Sequence, residues 1–377
     1  MPKNPRIVVG VGDLTGCGYY RCTTPYKELA KHGFDVHLTN CLTYPSTTLA
    51  GINAIVFQRQ HSPQVFQIGG LVQNDGGKVV VEMDDYFHDI PKNNPCAGSY
   101  PKGSEQVQYL ERFMKMANLM TVSTTGLRDN YSKFNSNIHI CPNQIDKLNY
   151  INSEVIPYNG GEFRLGWAGS STHYDDLLTV VKPISEVMTE HREVKFVFIG
   201  HDYRSLFPRE LHGRMEHAGH TFPVNNDKAL MASEDDVSPV VKYYELLKNT
   251  GLHAAIAPIL QVTFNRCKSA VKLMEYGLAG IPFVATNFGP YSQYVNNARP
   301  LNVGLVADRN PEWKRGLKML ITNEKARVSF AEANIQNLHQ SHLLKSNINL
   351  WIKAFESIGI LPGLNEGIYE ENIVKSQ

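Results

Sequence analysis

The feature that most constrains this chain is an alternation. Short runs of β-branched and aliphatic residues take turns with stretches of helical periodicity, in two separate blocks. In the first block the predicted strands are 6–12, 35–39, 54–58, 78–83, 120–123 and 138–141. Several are continuous apolar runs, as expected for strands covered on both faces of a parallel sheet. Between them, 106–119 places Val107, Leu110, Met114 and Ala117 at helical spacing. The second block reads as strand 164–169, helix 175–189, strand 194–200, helix 240–248, strand 254–257, helix 269–279 and strand 282–286. Such alternation predicts an α/β protein of two doubly wound, Rossmann-like domains. The polar stretch 149–162, with Pro157, Gly160 and Gly161, is the expected linker. The domains expected are 1–155, 160–337 and a helical segment 338–377 that packs back on the first.

Composition narrows the class. With 377 residues, 42% hydrophobic and 19% charged, the chain is long enough for two cores. No apolar run reaches the ~18 residues of a membrane span, and MPKNPRIVVG lacks the parts of a signal peptide, so a cytoplasmic protein is expected. Cys17, Cys22, Cys41, Cys96, Cys141 and Cys267 form no CxxC pair, which argues against a zinc site or a disulfide framework. Residues 1–155 hold 14 Lys+Arg against 13 Asp+Glu, and the remainder 23 of each. Neither half is a basic nucleic-acid clamp by charge count.

Four segments carry chemistry. The first strand runs into VGVGDLTGCGYYR, where Gly16 and Gly18 precede a predicted helix. Glycines there suit a tight strand-to-helix turn or a close approach to an anion. The fourth strand runs into VVVEMDDYFHDIP. Asp84 and Asp85, at a strand's carboxyl end, suit substrate hydroxyls, a general base, a metal or simply a capped turn. His88 is a candidate contact to the substrate. RLGWAGSSTHYDDL places Gly169 and Ser170 between strand and helix, a second phosphate cradle or a plain helix cap. The longest signal is APILQVTFNRCKSAVKLMEYGLAGIPFVAT. Lys268 and Ser269 stand where the helix is predicted to begin, and Lys272 and Glu275 fall on one helical face. A lysine at a helix start opposes the dipole unless an anion joins it. A diphosphate would satisfy both, with Glu275 accepting from ribose hydroxyls; an exposed, salt-bridged face is the plainer alternative.

These segments, in this order, resemble the retaining glycosyltransferases of the GT-B fold, in particular the family 4-like group. The resemblance spans roughly 6–340 and includes YYR, VVEMDD, TVSTTGL with PNQID, and FNRCKSAVKLMEYGLAGIPFVAT. It implies two Rossmann-like domains facing each other across a cleft, the first binding an acceptor and the second a nucleotide sugar. Glu275 matches the family's ribose-binding glutamate. The family's preceding acidic residue, which contacts the donor sugar, is replaced by Cys267. A subset of similar proteins shares FN..KS..K..EY, matched here by Phe264, Asn265, Lys268, Ser269, Lys272, Glu275 and Tyr276, with lysine and serine as diphosphate contacts.

The expected activity is therefore a hexosyl- or pentosyltransferase that moves a sugar from a nucleoside-diphosphate donor, a UDP-sugar first, with retention and without a metal or other cofactor. Asp84, Asp85 and Lys268 are the expected catalytic residues. Gly18, Gly169, Ser170, Asn265, Lys268, Ser269, Lys272 and Glu275 are expected at the donor, and Tyr19, Tyr20, Arg21 and His88 at the acceptor. A glycan or small molecule is the first acceptor. Hydroxymethylated DNA is the second, held by Arg21, Lys92, Lys102 and Arg128 with Tyr19, Tyr20, Tyr86 and Phe87 near the base. A nucleotide-sugar epimerase of the same fold is a further alternative.

Overall fold

The computed structural model describes residues 4–40, 49–146, 155–219 and 239–363. Cys41 and the start of the expected linker, 149–154, lie outside them. The chain divides into two compact units. One comprises Met1–Asp84, Pro101–Asp146 and Leu344–Gln377, the other Asp85–Tyr100 and Lys147–Leu343. The stretch Asp85–Tyr100, which follows the fourth strand in sequence, thus packs with the second unit.

The first unit is built on six parallel strands: β1 (Arg6–Val11), β2 (Asp35–Asn40), β3 (Ala54–Gln58), β4 (Lys78–Met83), β5 (Leu119–Val122) and β6 (Ile138–Ile140). Their order is β2-β1-β3-β4-β5-β6. β3 is buried at every position and β4 at all but its first, which is why both read as unbroken apolar runs. The helix predicted at 106–119 spans Glu105–Met116, with Ser104 Oγ accepting from Val107 N, and Leu119 opens β5 instead. The closing helix Asn349–Glu356 belongs to this unit. Trp351 and Phe355 meet Tyr26 at ring separations of 5.6 and 6.0 Å, and Gly363 N donates to Gly33 O at 2.8 Å.

The second unit has β7 (Phe163–Gly169), β8 (Val194–Gly200), β9 (Met215–Gly219), β10 (Ala254–Ala257), β11 (Phe283–Thr286) and β12 (Leu305–Ala307). These too are all parallel, in the order β12-β11-β10-β7-β8-β9. Counted from β7, that is the 3-2-1-4-5-6 order of doubly wound nucleotide-binding sheets. Phe163, Leu165, Trp167, Phe196 and Phe198 form the centre of its core. The helix predicted at 175–189 is broken into Tyr174–Leu178 and Val181–Glu190. Pro183 explains the break, because it has no N–H to give to the preceding turn and its ring crowds that turn's carbonyl. The helix predicted at 269–279 begins only at Val271. Lys268 and Ser269 therefore sit in a short loop between Thr263–Arg266 and Val271–Leu278.

Candidate functional site

In an open parallel sheet, ligands bind outside the carboxyl ends of the strands, where the strand order reverses and neighbouring loops diverge. The second unit reverses between β7 and β10. These strands pair only at Leu165–Ala254 and Gly166–Ala255, then separate. The helix Val271–Leu278 fills the gap with two side chains one turn apart. Tyr276 Oη accepts from Ala168 N at 3.3 Å and donates to Ile256 O at 2.9 Å, tying the two strand ends together. Lys272 Nζ donates to Ala168 O and lies 5.6 Å from the Trp167 ring centre. Burial lowers the Lys272 pKa to about 8, although Glu275 and Asp176 pull it upward. An ammonium so placed has a carbonyl and a ring for company, and an incoming anion would find it already desolvated.

The loops after β7 and β10 are locked together by Asp176. Its Oδ1 accepts from Leu260 N and from Asn265 Nδ2, both at 2.7 Å, and its Oδ2 lies 2.7 Å from His173 Nδ1. Burial raises the Asp176 pKa, but His173 and the Leu260 N–H outweigh it and hold the carboxyl below its ordinary value. Asn265, which the sequence places at the donor, spends its amide on Asp176 and on Leu260 O at 2.9 Å. It shapes the β10 loop from within, 2% exposed. Gly169 has a packing reason to be glycine. A Cβ there would stand 2.5 Å from Trp167 Cζ2 and 3.2 Å from His173 Cδ2. Ser170 Oγ caps the following turn through Thr172 N at 3.4 Å.

Lys268 lies 4.8 Å from the Phe264 ring centre and 3.8 Å from Asp85 Oδ1. Asp85 reaches it because the segment Asp85–Tyr100 packs within this unit, where Asn93 Nδ2 also donates to Asp175 Oδ1 at 2.8 Å. Tyr86 stacks on His88 in the same segment, 5.6 Å between centres. Glu275 is buried and accepts from Tyr243 Oη at 3.2 Å. The structure thus gathers Gly169, Ser170, Lys268, Ser269, Lys272 and Glu275 on the β7, β10 side of one unit. Sequence reading missed His173 and Asp176. The H-x-x-D spacing straight after the Gly-Ser turn was the available signal, since residues three apart on a helical turn meet.

The first unit reverses between β1 and β3, and its glycine loop is furnished differently. Asp13 Oδ1 accepts from Thr15 N, Thr15 Oγ1 and Gly18 N at 2.8, 2.6 and 3.2 Å. The N–H groups expected to meet a diphosphate at Gly18 are already turned onto an internal carboxylate. Gly18 is glycine because a Cβ would collide with Asp13 O at 1.8 Å. Arg59, after β3, has φ of 53°, a sparsely populated region for a side chain of its size. It clasps Asp84 with Nε and Nη2, the latter at 2.6 Å, and Nη2 also reaches Cys17 Sγ at 2.9 Å. Burial pushes the Asp84 carboxyl up, and the Arg59 guanidinium more than offsets this, holding it below the usual carboxylate range.

Arg21 does not stand at a surface where an acceptor or a DNA phosphate would meet it. It is 0% exposed. Its Nε and Nη2 donate to Glu82 at 2.7 and 3.0 Å, and its Nη1 to Cys141 O and to Asn143 Oδ1. The guanidinium also lies 5.0 Å from the Trp351 ring centre, so it fastens the closing helix to the sheet. Tyr19 donates to Asp146 Oδ1 at 2.8 Å and packs edge-on against Tyr20, both largely buried. Among the described residues there is no cluster of three or more His, Cys, Asp or Glu arranged to hold a metal ion, and no helix long and apolar enough to cross a membrane.

No protein-family model and no curated protein matches the sequence. Solved structures do match its fold. Staphylococcus aureus TarM, in a complex described as containing fondaparinux, alpha-GlcNAc-glycerol and UDP, superimposes at a TM-score of 0.55 with 13% identity over 80% of this chain. The chain spans 55% of TarM's length. Anabaena HepE in complex with UDP matches at 0.61 with 11% identity, over 94% of this chain and 100% of its own. Sucrose-phosphate synthase from Thermosynechococcus elongatus matches at 0.60 with 11% identity, over 95% and 99%. At such identities the likeness is one of fold: the two-domain α/β architecture of GT-B glycosyltransferases, with two six-stranded parallel sheets.

Proposed function

We propose that the chain is a glycosyltransferase that takes a sugar from a nucleoside-diphosphate donor, UDP-linked in the first instance. The observation that carries the reading is the β7, β10 switch point. There, two lysines and a histidine stand at the sheet position where doubly wound units hold nucleotides. The structures of HepE and TarM that share the fold contain UDP, which supports a uridine nucleotide.

In this reading Lys268, Lys272, Ser269 and the Gly169–Ser170 turn receive the diphosphate, and Glu275 receives the ribose hydroxyls. When the bond from the anomeric carbon to the phosphate oxygen breaks, its electron pair stays on that oxygen. Fixed positive charge there stabilises the leaving group without reorganisation. The acceptor oxygen bonds to the anomeric carbon and passes its proton to the departing phosphate oxygen. Retention, independence from a metal, and a role for Asp84 or Asp85 at the acceptor belong to the same proposal. Arg59 keeps Asp84 ionised, which suits it to accepting hydrogen bonds from a hydroxyl. With Arg21 sealed in the first unit, the basic set suggested for DNA loses a member, and a glycan or small molecule remains the preferred acceptor.

The test is incubation of the purified chain with UDP-, GDP- and ADP-sugars, with and without glycan acceptors and with EDTA, read by mass spectrometry. Acceptor-dependent release of one nucleoside diphosphate, unaffected by EDTA, is expected. Conversion of the donor without any acceptor would replace the reading with an epimerase. No turnover and no nucleotide binding would remove it.

A further inference from the structure

We propose that His173 is a further anion-binding residue of the β7, β10 site: a neutral imidazole in the empty protein, protonated on Nε2 when a diphosphate enters. The inference rests on the nucleotide-sugar reading of this site and adds a residue and a proton to it.

The geometry fixes the tautomer. Nδ1 faces Asp176 Oδ2 at 2.7 Å, and an ionised carboxylate only accepts, so Nδ1 carries the hydrogen. Asp176 cannot swing away, because Leu260 N and Asn265 Nδ2 hold its other oxygen. The ring is therefore oriented by a buried carboxylate, the arrangement that makes an imidazole a directed proton carrier. The opposite edge points to the glycine turn. Cδ2, bonded to Nε2, lies 3.2 Å from where a Gly169 Cβ would stand, so only glycine leaves room for the ring. Nε2 makes no hydrogen bond to any described residue, and the side chain keeps 16% exposure, enough for a ligand to reach it.

The charges around it decide its state. Asp176 on its own turn favours the imidazolium, whereas Lys268 and Lys272 from the segment after β10 oppose it. Tyr203, from the turn after β8, adds a neutral hydroxyl that donates to Ser170 O at 3.4 Å. Asp85 faces Lys268. Burial is the largest influence, and with the lysines it outweighs Asp176 and keeps the imidazole below its ordinary pKa. A third cation beside two ammonium groups is unfavourable until an anion joins them. A diphosphate reverses the balance, because its charge offsets both lysines and favours protonation of the third group. The protonated form binds the anion better, so affinity rises as pH falls through the imidazole pKa of the complex. It levels off below the pKa of the free protein.

The measurement is calorimetric titration of the full chain with UDP, and separately with inorganic pyrophosphate, near pH 7 in two buffers of different ionisation enthalpy. Wild-type protein should take up roughly half a proton more per bound ligand than His173→Gln, whose amide can donate but cannot titrate. UDP affinity of the variant should fall about tenfold at about pH 6 and much less at about pH 8.5. Asp176→Asn should lower the proton uptake in the same sense, and thermal unfolding of both variants shows whether the fold is kept. An equal proton count in wild type and His173→Gln, or no uptake by wild type, overturns the proposal without reference to any variant's stability. Pyrophosphate binding with proton uptake, when UDP does not bind, would sink the nucleotide reading and leave His173 standing. Failure of both ligands to bind sinks both.

Discussion

The two switch points have similar sequence dress and place their carboxylates differently. After β1, the glycine turn closes on Asp13, while Arg59 faces Asp84 and Asp13, and Arg21 faces Glu82. Cations there are matched by carboxylates of the same unit. After β7, the glycine turn is packed by Trp167 and His173, Lys272 has a backbone carbonyl rather than a carboxylate, and Asp176 is shared among three donors. Lys268 lies 3.8 Å from Asp85 Oδ1 and acts on Asp176 from a greater distance. A glycine loop becomes an anion site only if the protein has not already placed its own anion there. The first loop is self-capped. In the second, the Asp176 carboxylate turns to His173, Leu260 and Asn265 instead of to the glycine turn.

Four substitutions test that contrast. The largest effect is expected from Glu82→Ala, which leaves Arg21 as a buried charge without its carboxylate. Removing one partner of such a pair costs about 3–5 kcal/mol. Denaturant unfolding should show this loss, and a change below about 1 kcal/mol would mean that the pair is not a keystone of the first unit. Lys268→Ala comes next. Loss of one preorganised charge at a leaving group typically costs about 10²–10³-fold in turnover, and kinetics at saturating acceptor measure it. Wild-type rates would end the diphosphate role and erase the contrast.

Asp13→Ala removes the internal cap of the first glycine turn. Stability should fall by about 1–2 kcal/mol, the usual worth of such a cap, with UDP affinity unchanged. A large loss of UDP affinity would show that the first loop takes part in donor binding after all. Glu275→Gln is the mildest. The amide keeps one acceptor but loses charge, so UDP affinity should weaken by about five- to tenfold with the unfolding midpoint little altered. Unchanged affinity would reduce Glu275 to a partner of Tyr243.

The sequence by itself determined the layered architecture. Period and apolar continuity place β3, β4, β8 and β10 within a residue of where they lie, because a strand covered on both faces must be apolar throughout. The cluster of Lys268, Ser269, Lys272 and Glu275 was legible too, since those residues are near neighbours along the chain. Only the tertiary structure decided what surrounds them. That Asp13 fills the first glycine loop depends on how a turn folds back, not on residue type. That Arg21 is buried depends on Glu82, Cys141 and Trp351, which come from three distant stretches. The orientation of His173 depends on Asp176, which Leu260 and Asn265 hold in place from a distant stretch of the chain. Strand and helix periodicity is a local consequence of backbone geometry, so it is written along the chain. The charge at a site is a sum over groups brought together by folding, and no local pattern records that sum.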